Sequence, residues 1–261
     1  MRTLIFIGLV VISTINISSA QSSWEAGVLV GGASYVGDLN QRNFSQISGV
    51  HTEIYIKRNF DGYLGASFQY NFGIISENDA NSHYPDNKLR NLSFETNLNE
   101  FNFMMEFNFF EFMQGVGRHK LTPFVYGGIG YVFFQPTTIY NVKRYDLSQF
   151  RTEGQDISYS KTAITIPYGL GIRFSLKENL QLLGKMGFRE AQTDYLDDVS
   201  GYYPSKANFD SLRAALSDRS GEVNGNYIGY SGSQRGDLRK RDKYMFVGIG
   251  ISYTFVNSKC Y

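Results

Sequence analysis

The 261-residue sequence is poor in cysteine, histidine, proline and tryptophan, with one, three, five and one of them, respectively. A single cysteine cannot form a disulfide within the chain, so no disulfide framework holds this fold. Basic residues number 25 and acidic residues 24, and a net charge of +1 gives no electrostatic reason to expect a nucleic-acid partner. The mean hydropathy of −0.27 excludes a bundle of transmembrane helices.

Aromatic residues and glycine are abundant instead. The chain contains 21 phenylalanines, 19 tyrosines and 27 glycines, whereas charged residues make up only 19% of it. Aromatic side chains favour β-strands, because they pack well on a pleated surface. So many groups that can bury surface also argue against a disordered chain. The composition therefore predicts an ordered, β-rich protein.

An apolar run near the start of the chain has the pattern of an export signal. Leu4–Ile12 follows the short basic start Met1-Arg2-Thr3 and precedes the small residues Ser18-Ser19-Ala20. This order is typical of a secretory signal peptide that is cleaved after Ala20. A membrane-anchoring helix would need roughly 20 apolar residues, more than this run offers. We therefore expect a signal peptide at 1–20 and a mature chain that leaves the cytoplasm.

Along the mature chain, apolar residues alternate with polar or small ones in eight blocks. The blocks are Trp24–Tyr35, Val50–Lys57, Leu64–Ile74, Leu92–Phe109, Thr122–Phe134, Ile164–Phe174, Leu180–Arg189 and Met245–Phe255. Alternation with a period of two predicts strands that have one apolar face and one polar or small face. A soluble β-sandwich has the same period, so the period alone does not identify the architecture.

Three further features favour a membrane barrel over a sandwich. The apolar faces are unusually aromatic, the opposite faces carry glycine, amides and single charges, and short connections alternate with long ones. The long connections are expected at about 75–90, 134–160 and 191–242. The predicted fold class is all-β: an eight-stranded antiparallel outer-membrane β-barrel over 21–255, with long extracellular loops. An even strand number places both termini in the periplasm, with 256–261 as a short periplasmic tail.

In the block Leu92–Phe109, the apolar residues do not all fall on the same face of the predicted strand. Leu92, Phe94 and Leu98 share one parity, whereas the apolar residues from Phe101 to Phe109 share the other. A β-bulge shifts the facing of a strand by one residue, so we predict a bulge near Asn99-Glu100.

Charged residues stand alone on the polar faces of several blocks and predict a charge network in the lumen. They are Glu53, Lys57, Glu106, Arg173, Lys185 and Arg189. The lumen of an eight-stranded barrel is just wide enough for side chains to fill it, which disfavours a general porin. Charges inside it must pair, because an unpaired buried ion is costly. A structural network is the favoured interpretation and an ion path is the alternative; Lys57 stands either in the lumen or at its periplasmic mouth.

Asp194, Asp197 and Asp198 open the longest loop and form a candidate loop site. Such carboxylates either hold calcium or pack and cap the loop, and the second interpretation is favoured because the spacing is not that of an EF-hand. Cys260 is a candidate partner tether, since a lone cysteine in an oxidising compartment suggests an intermolecular disulfide. An incidental thiol on a frayed chain end is its alternative.

No catalytic motif is recognisable in the sequence. His51 and Glu53 share one face of a strand, and a lipid-modifying enzyme would need such a pair beside a nucleophile. No triad spacing, phosphate loop, zinc spacing or dinucleotide motif is present. We therefore expect no enzyme activity, no cofactor, no metal site and no small-molecule substrate.

Five segments resemble the PorG-type outer-membrane proteins of the Bacteroidetes type IX secretion (gliding) system. They are Gly37–Asn40, Arg90–Phe94, Glu106–Phe110, Thr122–Gly130 and Thr193–Ser200, and the second and fifth look the most specific. The resemblance covers nearly the whole mature chain. It implies a non-enzymatic barrel that anchors or docks the periplasmic ring of an export machine. The implied partners are outer-membrane lipid and a ring lipoprotein with its own partner, with Cys260 as the candidate covalent link. The alternative function is an OmpA-like structural or adhesion barrel whose outer loops bind a surface ligand.

Overall fold

The computed structural model describes residues 22–40, 46–112 and 119–255. The expected signal peptide (1–20) and the expected tail (256–261), with Cys260, lie outside these described residues. Nine strands form within them: β1 (Ser23–Val36), β2 (Gly49–Asn59), β3 (Leu64–Asn78), β4 (Ser93–Asn108), β5 (Leu121–Tyr140), β6 (Lys143–Asp146), β7 (Thr162–Ser175), β8 (Leu180–Ala191) and β9 (Lys243–Phe255).

Eight of these strands close into a barrel. Each pairs antiparallel with its neighbour in the chain, β5 pairs with β7, and β1 pairs with β9 from Trp24–Phe255 to Val36–Lys243. The predicted eight-stranded antiparallel barrel is therefore confirmed. Closure leaves no unpaired edge in the ring, because the first and last strands satisfy each other's backbone groups.

The short strand β6 is outside the ring and was not predicted. It extends β5 as a hairpin, with Thr137 paired to Asp146. Asn141 and Val142 form the turn with φ of 48° and 67°, the backbone that a two-residue hairpin favours. Asn141 suits positive φ, but a β-branched residue such as Val142 is unusual there, so the sequence carries only part of the usual turn signal.

The two ends of the barrel differ in the length of their connections. At the turn end, 60–63 and 176–179 are tight: Phe60 N donates to Leu64 O over 2.9 Å, and Leu176 N donates to Leu180 O over 2.9 Å. The opposite end, which we call the cap, consists of the described parts of 37–48 with 79–92, 141–161 and 192–242. Ser23 and Phe255 both lie at the turn end, as an even strand number requires.

Short helices order the cap. They are two 3-10 turns (Asp79–Asn81 and Leu147–Gln149) and three α-helices (Pro85–Arg90, Ser211–Ser217 and Gly221–Asn224). Among the described residues, no helix has the length and apolar character that a membrane-crossing helix needs.

Strand β4 contains no bulge, so that prediction was wrong. Its register with β3 runs one to one from Ser93–Asn78 to Phe107–Leu64. Phe94, Leu98, Glu100 and all other even-numbered positions of β4 face inward without a change of parity. What reverses is the chemistry of the two faces: near the cap the inside is apolar and the outside polar, whereas further down the inside is polar and the outside apolar.

An apolar belt surrounds the barrel between its two ends. It comprises the outward-facing residues Val28, Val30, Ile54, Ile56, Phe68, Phe101, Phe103, Met105, Val125, Ile129, Tyr131, Ile164, Ile166, Tyr168, Leu170, Ile172, Leu182, Ile249, Ile251 and Tyr253. On β5 the outward face is apolar or glycine and proline from Leu121 to Phe133, which is about 40 Å at about 3.3 Å per residue. A strand tilt of about 35–45° converts this length into about 28–33 Å along the barrel axis.

Candidate functional site

Four charged side chains fill the lumen near the turn end and form what we call the lower lumen cluster. Lys57 Nζ lies 3.1 Å from Glu25 Oε2 and 2.7 Å from Glu106 Oε1. Arg173 Nη2 lies 2.7 Å from Glu106 Oε1 and 3.7 Å from Glu25 Oε1. Two cations thus alternate with two carboxylates, and all four are buried. Since they come from β1, β2, β4 and β7, the cluster ties together strands on different sides of the barrel.

Two further ion pairs lie above that cluster. Lys185 Nζ is 2.6 Å from Glu53 Oε1, and Arg189 Nε is 3.4 Å from Glu100 Oε2. Glu100 Oε1 also accepts a hydrogen bond from Tyr244 Oη at 2.9 Å. These extra bonds matter, because a buried ion pair offsets its desolvation only when its remaining polar atoms are satisfied.

Aromatic faces complete the surroundings of these cations. Lys185 Nζ lies 4.8 Å from the centroid of the Tyr126 ring, and the Arg189 guanidinium lies 4.4 Å from that of Phe246. A cation over an aromatic face is attracted by the ring quadrupole, most strongly away from water. The lumen is therefore filled by charges that are neutralised in place.

The structure places all six sequence-predicted lumen charges inside the barrel, including Lys57, which is only 1% exposed. Sequence reasoning missed two carboxylates of the same network, Glu25 and Glu100. Because a bulge was predicted at its position, Glu100 was not assigned to the inward face of its strand. Glu25 stands in the least regular block, although it shares the inward parity of Leu29.

His51 does not meet Glu53 in the lumen. Its Nε2 lies 2.9 Å from Asn71 Oδ1, and its ring stacks on Phe246 at 4.1 Å. Glu53 pairs instead with Lys185. The two residues that a catalytic hypothesis required to interact therefore have different partners, a hydrogen bond and ring contact for His51 and an ion pair for Glu53.

A hydrophobic core closes the cap end of the lumen. It contains Ala33, Tyr35, Leu39, Ile75, Leu92, Phe94, Leu98, Val132, Phe134, Leu147, Ala163, Ala191, Leu196, Val199, Leu216, Tyr244 and Phe246, all buried. Strand ends and cap loops both contribute to it. Such a core packs like the interior of a soluble domain and leaves little room for water.

Two buried arginines connect the cap loops to each other through ion pairs and hydrogen bonds. Arg90 binds both oxygens of Asp79, at 2.7 and 2.8 Å, and also donates to the carbonyls of Arg235 and Asp38. Arg235 in turn lies 3.0 Å from Glu153 Oε1 and donates to the carbonyl of Asp198. Bidentate arginine pairs of this kind add geometric specificity as well as energy.

The structure divides the candidate loop site. Asp198 accepts hydrogen bonds from Thr152 Oγ1 at 2.5 Å and Tyr159 Oη at 2.6 Å, with Arg235 Nη2 at 3.6 Å. Burial raises the pKa of Asp198 to about 6. This carboxylate therefore packs between loops, as the favoured interpretation expects of the whole run.

Asp194 belongs to a different group. Carboxylate oxygens of Asp38, Asp194 and Asp242 all lie within 4.8 Å of one another, and we call these three residues the aspartate triad. Asp197 stands next to it, with Oδ2 accepting from Tyr35 Oη and Oδ1 from Val199 N at 2.9 Å. Sequence reasoning missed Asp38 and Asp242, because they are far apart in the chain and stand singly at strand ends.

Replacing Asp210 by alanine tests how firmly the cap is ordered. Asp210 Oδ1 accepts from Arg213 N at 2.8 Å and caps the helix Ser211–Ser217. Loss of an N-cap costs about 1 kcal/mol, so we expect amide exchange in this helix to accelerate about fivefold. Asp156→Ala, at an exposed cap position, is the matched control; equal acceleration in both variants would contradict the capping role.

The fold and the lumen together define the class: a closed eight-stranded antiparallel β-barrel with a polar, filled interior. The chain belongs to the DUF6089 family, described as a domain of unknown function, whose model matches residues 2–228. No curated protein matches the sequence.

Several solved structures are similar to this chain at low identity. The N-terminal β-barrel domain of Pseudomonas aeruginosa OprF is 10% identical, with 90% of this chain and 98% of that one covered and a TM-score of 0.39. Ail of Yersinia pestis is 10% identical, with 90% and 99% covered and a TM-score of 0.42. A major outer membrane protein of Thermus thermophilus is 12% identical, with 90% and 99% covered and a TM-score of 0.43.

Proposed function

We propose that this protein is a non-enzymatic outer-membrane barrel that anchors or docks the periplasmic ring of a type IX secretion machine. The observation that carries the proposal is a filled lumen inside an apolar belt. A belt of about 28–33 Å matches the roughly 30 Å hydrocarbon core of a bilayer. Its exposed aliphatic and aromatic side chains would be a severe liability in water, because large apolar patches drive association.

The filled lumen supports anchoring over transport. The lower lumen cluster blocks the path at one end, and the cap core closes it at the other. Moving a solute through would require these paired charges to separate in a low-dielectric interior, which is costly. We infer that a barrel whose described lumen is filled in this way acts through what its two ends bind.

Three of the five segments that resemble PorG-type proteins lie close together in space, which is consistent with a shared role. Gly37–Asn40 and Thr193–Ser200 lie in the cap, and Arg90–Phe94 passes from the cap into the start of β4. Arg90 Nη2 donates to Asp38 O at 3.1 Å, and Leu92, Phe94 and Leu196 belong to one core. Segments that are distant in the chain and share one resemblance thus build one structural unit.

The turn end would face the periplasmic ring if the long connections point outward, as they do in outer-membrane barrels. Both described chain ends lie there, so the tail with Cys260 would begin there as well. Affinity capture of the full chain from native membranes in gentle detergent tests the proposal. Co-capture of a periplasmic lipoprotein and its partner is the expected result; a band that reduction and Cys260→Ser both remove would assign the tether.

A pair of charge reversals sharpens the capture experiment. The variant Lys177→Glu changes a residue of the exposed turn 176–179. The variant Lys143→Glu changes a residue of the exposed β6 hairpin of the cap. We expect the turn-end variant to lose captured ring protein several-fold and the cap variant to keep it, since interface charges act on recognition. Capture of the barrel alone, with other membrane complexes intact, would contradict the proposal.

The alternative function, an adhesion or structural barrel, is favoured by one feature of the cap. Apolar side chains stand exposed on it, including Val142 (100%), Ile157 (82%) and Tyr230 (73%). Exposed apolar groups on an ordered surface are typical of contact sites. A deletion strain distinguishes the two functions: loss of secreted cargo supports export, and normal secretion with altered surface binding supports adhesion.

A further inference from the structure

The aspartate triad joins three segments that emerge side by side from the cap end of the barrel. Asp38 follows β1, Asp194 follows β8, and Asp242 precedes β9. These three strands are neighbours in the barrel, in the order β8, β9, β1. The triad is therefore placed where the longest loop leaves the barrel and returns to it.

Two oxygens of the triad have no hydrogen-bond partner although they are buried. Asp38 is fully buried; its Oδ1 accepts from the backbone N of Asp237, whereas its Oδ2 is unpartnered. Asp194 Oδ1 is likewise buried and unpartnered. An orphaned carboxylate oxygen in an interior is costly, so a native site that holds two of them points to an additional ligand.

The aspartate triad has no direct ion-pair partner in the described part of the chain. Among the described residues, no lysine or arginine nitrogen lies within 4.0 Å of a carboxylate of the triad or of Asp197, although other buried carboxylates of the cap have such a partner. A cation placed among these closely spaced carboxylates would remove their mutual repulsion.

We propose that the aspartate triad is a calcium site, with Asp38, Asp194 and Asp242 each supplying a carboxylate oxygen. Oxygens that bind one Ca²⁺ at about 2.3–2.6 Å lie at most about 5 Å apart, and those of the triad lie within 4.8 Å. Asp197 stays outside the set of ligands, because Tyr35 and Val199 occupy its two oxygens. The bound ion would link both ends of the 192–242 loop to Asp38, which follows β1.

Limited trypsin digestion of the refolded full chain, free of lipopolysaccharide, tests the site. Without bound ion the repulsion favours an open loop, and Lys206, Arg213 and Arg219 offer cleavage points within it. At a Ca²⁺ concentration of ten times Kd, the closed state gains about tenfold in population over the open state. We therefore expect cleavage within 192–242 to slow about tenfold on moving from EDTA to about 5 mM CaCl₂, a concentration that covers weak extracellular sites.

The variants Asp38→Asn and Asp194→Asn distinguish the effect of ion binding on cleavage from the effect of packing. Each removes one negative charge at nearly constant shape. In EDTA we expect both variants to be cleaved more slowly than the wild type, because the repulsion is smaller. In CaCl₂ the order should reverse, since only the wild type gains protection. Asp156→Asn, an exposed carboxylate of the same cap, should behave as the wild type in both conditions.

Three results would overturn the assignment. One is equal protection of the wild type and both triad variants by CaCl₂, which would place the ion elsewhere. Another is equal protection by MgCl₂ at the same concentration, because Mg²⁺ requires shorter, near-octahedral coordination. If a triad variant does not fold, calorimetric titration of the unchanged chain with CaCl₂ decides: absence of saturable one-to-one binding up to about 5 mM overturns the site.

Discussion

Replacing Arg173 by methionine is expected to lower the free energy of unfolding of the barrel by about 3–5 kcal/mol. Arg173 holds Glu106 at 2.7 Å and faces Glu25 at 3.7 Å, and its guanidinium also lies 5.0 Å from the centroid of the Phe124 ring. Methionine removes the charge and retains much of the volume. Two buried carboxylates would then share Lys57 as their only cation, and one of them would remain uncompensated.

Arg144→Met provides the matched control for this loss. Arg144 Nη1 lies 2.6 Å from Glu95 Oε1, but both side chains are about half exposed, at 50% and 42%. An exposed ion pair contributes at most about 1 kcal/mol, because water and salt screen it. Urea unfolding in lipid vesicles measures the loss of free energy in both variants. The folded fraction is read from the gel shift between folded and unfolded barrel. Similar losses in the two variants would mean that the lumen network does not hold the barrel together.

Placing an arginine at Ile129 is the second change with a large expected effect. Ile129 lies near the middle of the apolar stretch of β5 and is 57% exposed on the outer face. If that face lies in hydrocarbon, an arginine at the midplane costs about 2–4 kcal/mol in free energy of folding into the bilayer. In water the same substitution would cost little, since the position touches no core.

Ile157→Arg distinguishes these two environments. Ile157 is 82% exposed in the 141–161 connection of the cap, well beyond the belt. A surface substitution in water usually changes stability by less than about 0.5 kcal/mol. Equilibrium folding into vesicles of both variants gives the comparison. A negligible cost at Ile129 would show that the belt does not meet lipid and would remove the basis of the proposed location.

The sequence was sufficient to predict the barrel because period-two alternation persists wherever a strand has two different faces. Six lumen charges were found by parity alone. The prediction failed in β4, where hydrophobicity changes sides between Leu98 and Phe101 while the parity of the inward face is retained. A pattern of hydrophobicity reports the environment of a face, and here one strand passes through two environments.

The cap was harder to predict, for a different reason. Its helix Ser211–Ser217 has a recognisable start in Asp210 and good helix formers in Leu212, Ala214 and Ala215, so it was within reach of sequence rules. The aspartate triad was not within reach, since Asp38 and Asp242 meet only after barrel closure. Local patterns carry no information on contacts that a closed ring creates.

The core of the cap has a consequence for how this chain would enter the membrane in which we propose that it resides. Phe94, Val132, Ala163 and Phe246 reach the cap core from the inner faces of four strands, so the core can form only after the ring is closed. The connections would thus cross the bilayer unfolded and condense on the far side as the last step of biogenesis. Pulling a strand back would first require that core to melt, because polar cap residues cannot enter hydrocarbon cheaply. In the proposed membrane location, the cap core would give the inserted barrel a direction of entry and a kinetic barrier against leaving.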